Sequence, residues 1–207
     1  MDRLLRGRAA YGVVWLACFA PIVWLAWRAF AGELGANPIE TLIRQLGVWG
    51  LRLLIVGLAI TPAARIFRMP VLVRFRRTVG VFAFSYLLLH LLNYVVTDQW
   101  FDWAAIGKDI LKRPFITVGM IAFVLLVPLA ATSTNRALRK LGPGRWRQLH
   151  RLTYLIVPLG VLHYYMLVKA DHRPPLIYAG IVAALLGWRL WEAARKRRAL
   201  TGTAPAP

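Results

Sequence analysis

Apolar residues in this chain run in long blocks, separated by short stretches rich in arginine. Six blocks stand out, at residues 11–30, 46–63, 78–97, 115–132, 152–168 and 175–192. Each approaches the roughly 20 residues that a helix needs to cross a hydrocarbon core about 30 Å thick. The pattern predicts an all-α fold, a six-helix transmembrane bundle that forms a single domain over residues 1–207. The segment 199–207, which ends in "TGTAPAP", is expected to be a disordered tail. The turn "LGPGRW" at 141–146 is expected to lead into the fifth span. No internal repeat is visible.

The polar stretches give the blocks a direction. Arg3, Arg6 and Arg8 precede the first span. Arg65, Arg68, Arg74, Arg76 and Arg77 lie between the second and third, and Arg136, Arg139, Lys140, Arg145, Arg147 and Arg151 between the fourth and fifth. Arg195, Lys196, Arg197 and Arg198 follow the sixth. The alternate loops hold most of the acids, among them Glu33, Glu40, Asp98, Asp102, Asp109 and Asp171. Cationic loops stay on the cytoplasmic side, so both termini are expected to be cytoplasmic. The opening "MDRLLRGR" resembles the start of a signal peptide. The apolar stretch after it is longer than a signal peptide's core, so it is expected to stay as a helix.

Composition agrees with a multi-pass membrane protein. The chain is 59% hydrophobic, against about 45–50% for a soluble domain. Its formal net charge of +19 would suit nucleic acid, but the cations sit at block ends, where they meet anionic lipid head groups; no nucleic-acid partner is expected. The single cysteine, Cys18, lies inside the first span. It excludes an intramolecular disulfide, a cysteine-held iron–sulfur cluster and a thiol redox pair within the chain. No phosphate-binding glycine motif follows a strand pattern, so nicotinamide binding would fall to another protein.

The four histidines bring in chemistry. His90 sits in "LLLHLL", 13 residues beyond Arg77, or about 20 Å along a helix. His163 sits in "GVLHYYMLV", 12 residues beyond Arg151, or about 18 Å. Both helices enter from the cytoplasmic side, so the two imidazoles are expected at one depth, past the midplane. An imidazole in so apolar a segment needs a partner. Two of them at one depth could clamp a haem iron, with the small residues Gly160, Ala83 and Gly80 making room for the macrocycle. Structural polar contacts or a proton relay would also use two such histidines. No Asp or Glu lies deep in any span, which disfavours a proton or cation transporter. A scaffold subunit without a cofactor is a third class.

His150, in "GRWRQLHRLTY", precedes His163 by 13 residues and is expected about 20 Å away, at the cytoplasmic surface. It is either an interfacial histidine or part of a second redox site. His172, in "KADHRPP", is expected to be solvated in a periplasmic loop. The arginines of "RFRRTVG" and "GRWRQLHR" serve topology and lipid contact, or hold a phosphate. A flavin mononucleotide, FMN, would offer that phosphate, with Trp146 beside its ring.

Four segments carry a resemblance: "RRTVGVFAFSYLLLHLLNYV", "TSTN", "GRWRQLHRLTYLIVPLGVLHYYMLVKAD" and "PLIYAG". Together they resemble the haem-binding membrane subunits of bacterial periplasmic methionine sulfoxide reductase systems. These belong to the ferric-reductase-like transmembrane group, which includes the NADPH oxidases. The resemblance implies a b-type cytochrome that binds haem b and FMN. It implies electrons taken from a cytoplasmic flavin reductase or a membrane quinone and passed to MsrP, a periplasmic molybdopterin enzyme that reduces methionine sulfoxide in proteins. A stand-alone ferric or quinone reductase is the alternative within the redox class. In the oxidases two helices carry two histidines each. Here His90 and His163 match the outer pair, and His150 matches one inner position. Arg76 stands where its partner histidine would be, so the inner site implies either haem iron with an unusual ligand or a flavin phosphate against Arg76, Arg77 and Arg147.

Overall fold

The computed structural model of the chain describes residues 7–201, and among them the only regular structure is helical. The helices are α1 (Arg8–Phe30), α2 (Pro38–Ile66), α3 (Arg76–Asn93), α4 (Trp103–Lys112), α5 (Pro114–Ala131), α6 (Asn135–Leu149), α7 (Thr153–Leu167) and α8 (Arg173–Thr201). Short 3-10 turns at Pro70–Phe75 and His150–Leu152 lead into α3 and α7, and a π-helical turn at Tyr94–Asp98 closes α3.

Local chemistry starts several of these helices where it does. Asn37 accepts the Glu40 N–H at 3.2 Å just before Pro38, whose missing N–H costs nothing in a first turn. Helix α2 therefore begins well before the apolar block at 46–63. Asp102 caps α4 by accepting the Ala105 N–H at 2.9 Å, and Thr134 caps α6 by accepting that of Ala137 at 3.1 Å.

Five helical segments are long and apolar enough to cross a membrane: Arg8–Phe30, Pro38–Ile66, Pro70–Asp98, Pro114–Ala131 and Arg173–Arg198. They coincide with five of the six expected spans and describe a multi-pass membrane protein. The remaining block, 152–168, is α7, only 15 residues long. Two stretches expected to be loops are helical. Residues 103–112 form α4, and residues 135–149 form α6, broken within "LGPGRW" where Gly142 takes φ +76°. Of the segment expected to be a tail, α8 continues to Thr201, and residues 202–207 lie outside the described residues, as do Arg3 and Arg6.

Two intimate helix pairs organise the bundle, α2 with α3 and α5 with α7. Between them lies a core that includes Leu58, Val79, Ala83, Tyr86, Ile156 and Val157, all buried. Tyr86 satisfies its buried hydroxyl by donating to the Cys18 carbonyl at 2.9 Å, which ties α3 to α1. Each pair carries one of the two deep histidines.

Candidate functional site

His90 projects from α3 and His163 from α7. Their ring centroids are 6.1 Å apart, with planes at 80°. His90 Nδ1 donates to the Ile43 carbonyl of α2 at 2.8 Å, and His163 Nδ1 donates to the Phe115 carbonyl of α5 at 2.7 Å. A carbonyl can only accept, so Nδ1 carries the proton in both rings and Nε2 keeps its lone pair. One turn after each carbonyl stands a glycine. A Cβ at Gly47 would lie 3.0 Å from His90 Nδ1, and one at Gly119 would lie 2.8 Å from His163 Nδ1.

The two rings border a cavity of about 530 Å³. Its wall is mainly apolar, from Val48, Leu51, Leu87, Phe123, Ile156 and Gly160, and its mouth is polar, with Glu40, Arg44, Asp98 and Arg113. Arg44 pairs with Glu40 there, and Arg113 pairs with Asp109 at 3.1 Å. The volume falls in the range of sites that enclose a small ligand or cofactor, about 300–1,000 Å³. Ring spacing gives a sharper test. A metal–imidazole bond of about 2 Å and a ring radius of about 1.1 Å on each side put two trans imidazole centroids about 6.2 Å apart. The observed centroid spacing of 6.1 Å matches that figure. Residues and spacing therefore fit a bis-imidazole haem.

The other expected site residues gather only in part. His150, in the turn before α7, has Nε2 3.2 Å from Thr132 Oγ1, and its ring stacks on Trp146 at 3.9 Å. Trp146 in turn donates Nε1 to the Thr132 carbonyl at 3.0 Å. Burial first, then the charge of Arg76, pushes the His150 pKa down to about 4, so this imidazole is neutral at pH 7. Arg76 is half-buried and faces His150 and Arg189. Arg77 is exposed and donates to Asn135 Oδ1 at 2.6 Å, which joins the start of α3 to α6. Arg147 is exposed. His172 lies against Tyr165, at 4.9 Å between centroids, in the turn before α8.

Sequence reasoning passed over two intramembrane cations. Arg52 donates Nε to the Tyr178 hydroxyl at 2.8 Å and lies 4.7 Å over the Trp49 ring. Arg189 donates to the Leu58 carbonyl at 2.7 Å and to the Tyr154 hydroxyl at 2.9 Å. A signal existed for both, since a charge inside an apolar block marks a site or a satisfied buried network. Gly47, Gly119 and the carbonyls of Ile43 and Phe115 left no such signal.

Residues 46–161 match the family described as "Ferric reductase like transmembrane component". The chain is 68% identical over 191 residues, 92% of this chain and 91% of the relative, to "Protein-methionine-sulfoxide reductase heme-binding subunit MsrQ" of Caulobacter vibrioides. A protein of the same name from Rhodospirillum rubrum is 53% identical over 205 residues, 99% of this chain and 96% of that one. Another, from Polaromonas naphthalenivorans, is 48% identical over 199 residues, 95% and 91% of the two chains. No solved structure matches the chain.

Proposed function

The chain belongs to the ferric-reductase-like transmembrane family and, within it, to the MsrQ haem-binding subunits of protein-methionine-sulfoxide reductase, and on that premise we propose that it is a b-type cytochrome relaying electrons across the bacterial inner membrane. One observation carries the reading: two deep imidazoles 6.1 Å apart, each with Nδ1 occupied by a carbonyl and Nε2 left as a ligand. Haem iron held there supplies one-electron exchange. The chain's residues do the rest. His90 and His163 hold the metal, the apolar wall keeps water from it, and Arg44 and Arg113 at the mouth offer cations to the macrocycle's carboxylates.

A relay needs a direction. Leu152 and α7 together make 16 residues, about 24 Å of helix, long enough to cross most of the hydrocarbon core as a sixth span that begins just after His150. Six spans with the arginine-rich connections inside put both termini in the cytoplasm and the cavity mouth on the periplasmic side. The acceptor is then an MsrP-like molybdopterin reductase docking at that mouth, and the donor, a flavin reductase or quinone, acts at the His150 end. FMN belongs to the same end in this reading, its phosphate against Arg76. That half-buried guanidinium pairs with no carboxylate among the described residues, and it faces His150 where a second axial histidine would be needed.

A proton relay fits the pair less well. Backbone carbonyls hold both Nδ1–H groups, and no cluster of three acids, histidines or cysteines occurs among the described residues. The test of the proposal is rapid mixing of prereduced purified protein with the oxidised molybdopterin reductase, followed at the Soret band. Reoxidation on mixing is expected, and a reduced spectrum that persists would overturn it.

A further inference from the structure

The two histidines rest in matched seats. One seat is the Ile43 carbonyl with Gly47 four residues on; the other is the Phe115 carbonyl with Gly119 four residues on. In each, the helix carbonyl can serve both the N–H of its own glycine and the incoming imidazole, because it has two lone pairs. Glycine is what lets the ring come so close. A Cβ at Gly47 would stand 3.0 Å from Nδ1 and 3.1 Å from Cε1 of His90. At Gly119 the distances to His163 would be 2.8 Å and 2.9 Å, with Cγ at 3.3 Å. Neither helix backbone nor a ring with two torsions and a hydrogen bond can give way without turning the ring. The steps from Gly47 to His90 and from Gly119 to His163 are nearly equal, so the device recurs in the two helix pairs.

We propose that Gly47 and Gly119 are positioning residues. With the carbonyls of Ile43 and Phe115 they hold the two ligand planes crossed at 80° and keep each Nδ1–H on a carbonyl. Two electronic consequences follow for the bound haem. A histidine that donates to a carbonyl is a more basic ligand, which favours ferric iron and lowers the reduction potential. Crossed planes bring the two iron orbitals that overlap the imidazoles close in energy, which spreads the g values of the ferric state. Nearly parallel planes separate those orbitals and narrow the spread.

The inference rests on the haem reading, whose own failure would be seen first as a wild-type protein without a low-spin haem spectrum. The seats are tested in the full chain, purified with haem, as Gly47→Ala, Gly119→Ala and the control Gly180→Ala, whose Cβ would enter open space on α8. Midpoint potential and low-temperature electron paramagnetic resonance are measured at equal haem content. Both seat variants should raise the potential and lower the largest g value, and Gly180→Ala should match wild type. Seat variants with wild-type potential and g values would overturn the proposal. If a seat variant yields no haem protein, the His163→Gly protein is supplied with imidazole or with 1-methylimidazole, which has no N–H to give to Phe115. Imidazole should restore the low-spin spectrum at lower concentration. Equal effects of the two bases, including none, would overturn the proposal.

Discussion

At the scale of single residues, His90 and His163 were legible because an isolated polar group in an apolar block stands out, and counting from the last cation gave each a depth. The seats beneath them were not legible. A glycine in an apolar span reads as ordinary helix packing, and a backbone carbonyl has no letter of its own. His150 was legible as a residue, but its neighbours were not, since Thr132 and Trp146 reach it only through the fold. Its environment makes a prediction. With its pKa at about 4 in the folded protein and about 6.5 unfolded, His150 is neutral in both states above that upper value. As pH falls through the window between them, the unfolded chain takes up a proton that the folded protein refuses, so stability drops. Melting temperature measured in detergent from pH 7 to pH 4 should fall less steeply for His150→Gln than for wild type. Parallel curves would remove the burial of this imidazole from the account.

At the scale of elements, blocks of apolar sequence gave the long helices but not their ends. Capping groups such as Asn37 lie outside the blocks and add whole turns. The amphipathic α4 and the cationic α6 were hidden because their polar faces break the apolar run that marks a span. The contact between α2 and α3 is also glycine-dependent. A Cβ at Gly50 of α2 would meet Leu87 Cγ at 2.6 Å and Cδ2 at 2.7 Å on α3. Leu87 also lines the cavity, so it has little room to retreat. Gly50→Ala should therefore destabilise the protein by about 1–3 kcal/mol, the usual cost of overpacking. Thermal unfolding in detergent, followed by tryptophan fluorescence, checks this, and an unchanged midpoint would mean that the α2–α3 pair is looser than described. The buried Glu192 of α8 makes a second link between elements through its ion pair with Arg65 of α2. Glu192→Ala should lower the same midpoint by leaving the guanidinium without its carboxylate, and Glu192→Asp should recover part of the loss.

At the scale of the whole molecule, the alternation of cations and acids along the chain orients the proposed relay, which the helices alone do not. A reporter fused to the C-terminus should be active only in the cytoplasm, and one inserted near Asp102 only in the periplasm. The reverse result would turn the cavity mouth away from the periplasmic partner. Arg76 tests the two ends separately. Arg76→Ala should slow haem reduction by a cytoplasmic flavin donor in stopped-flow absorbance and spare reoxidation by the periplasmic reductase, because the two steps occur at opposite faces. Equal slowing of both at full haem content would contradict a two-sided relay. The central claim, that His90 and His163 hold haem iron between them, is tested most directly by haem quantification and the visible spectrum of the purified wild type beside His90→Ala and His163→Ala. The account predicts a low-spin Soret band in the wild type that shifts on dithionite reduction, and loss of most of the haem from each variant, because each leaves the opposite imidazole as a lone ligand in an apolar cavity. Both variants retaining the wild-type spectrum and haem content would contradict it.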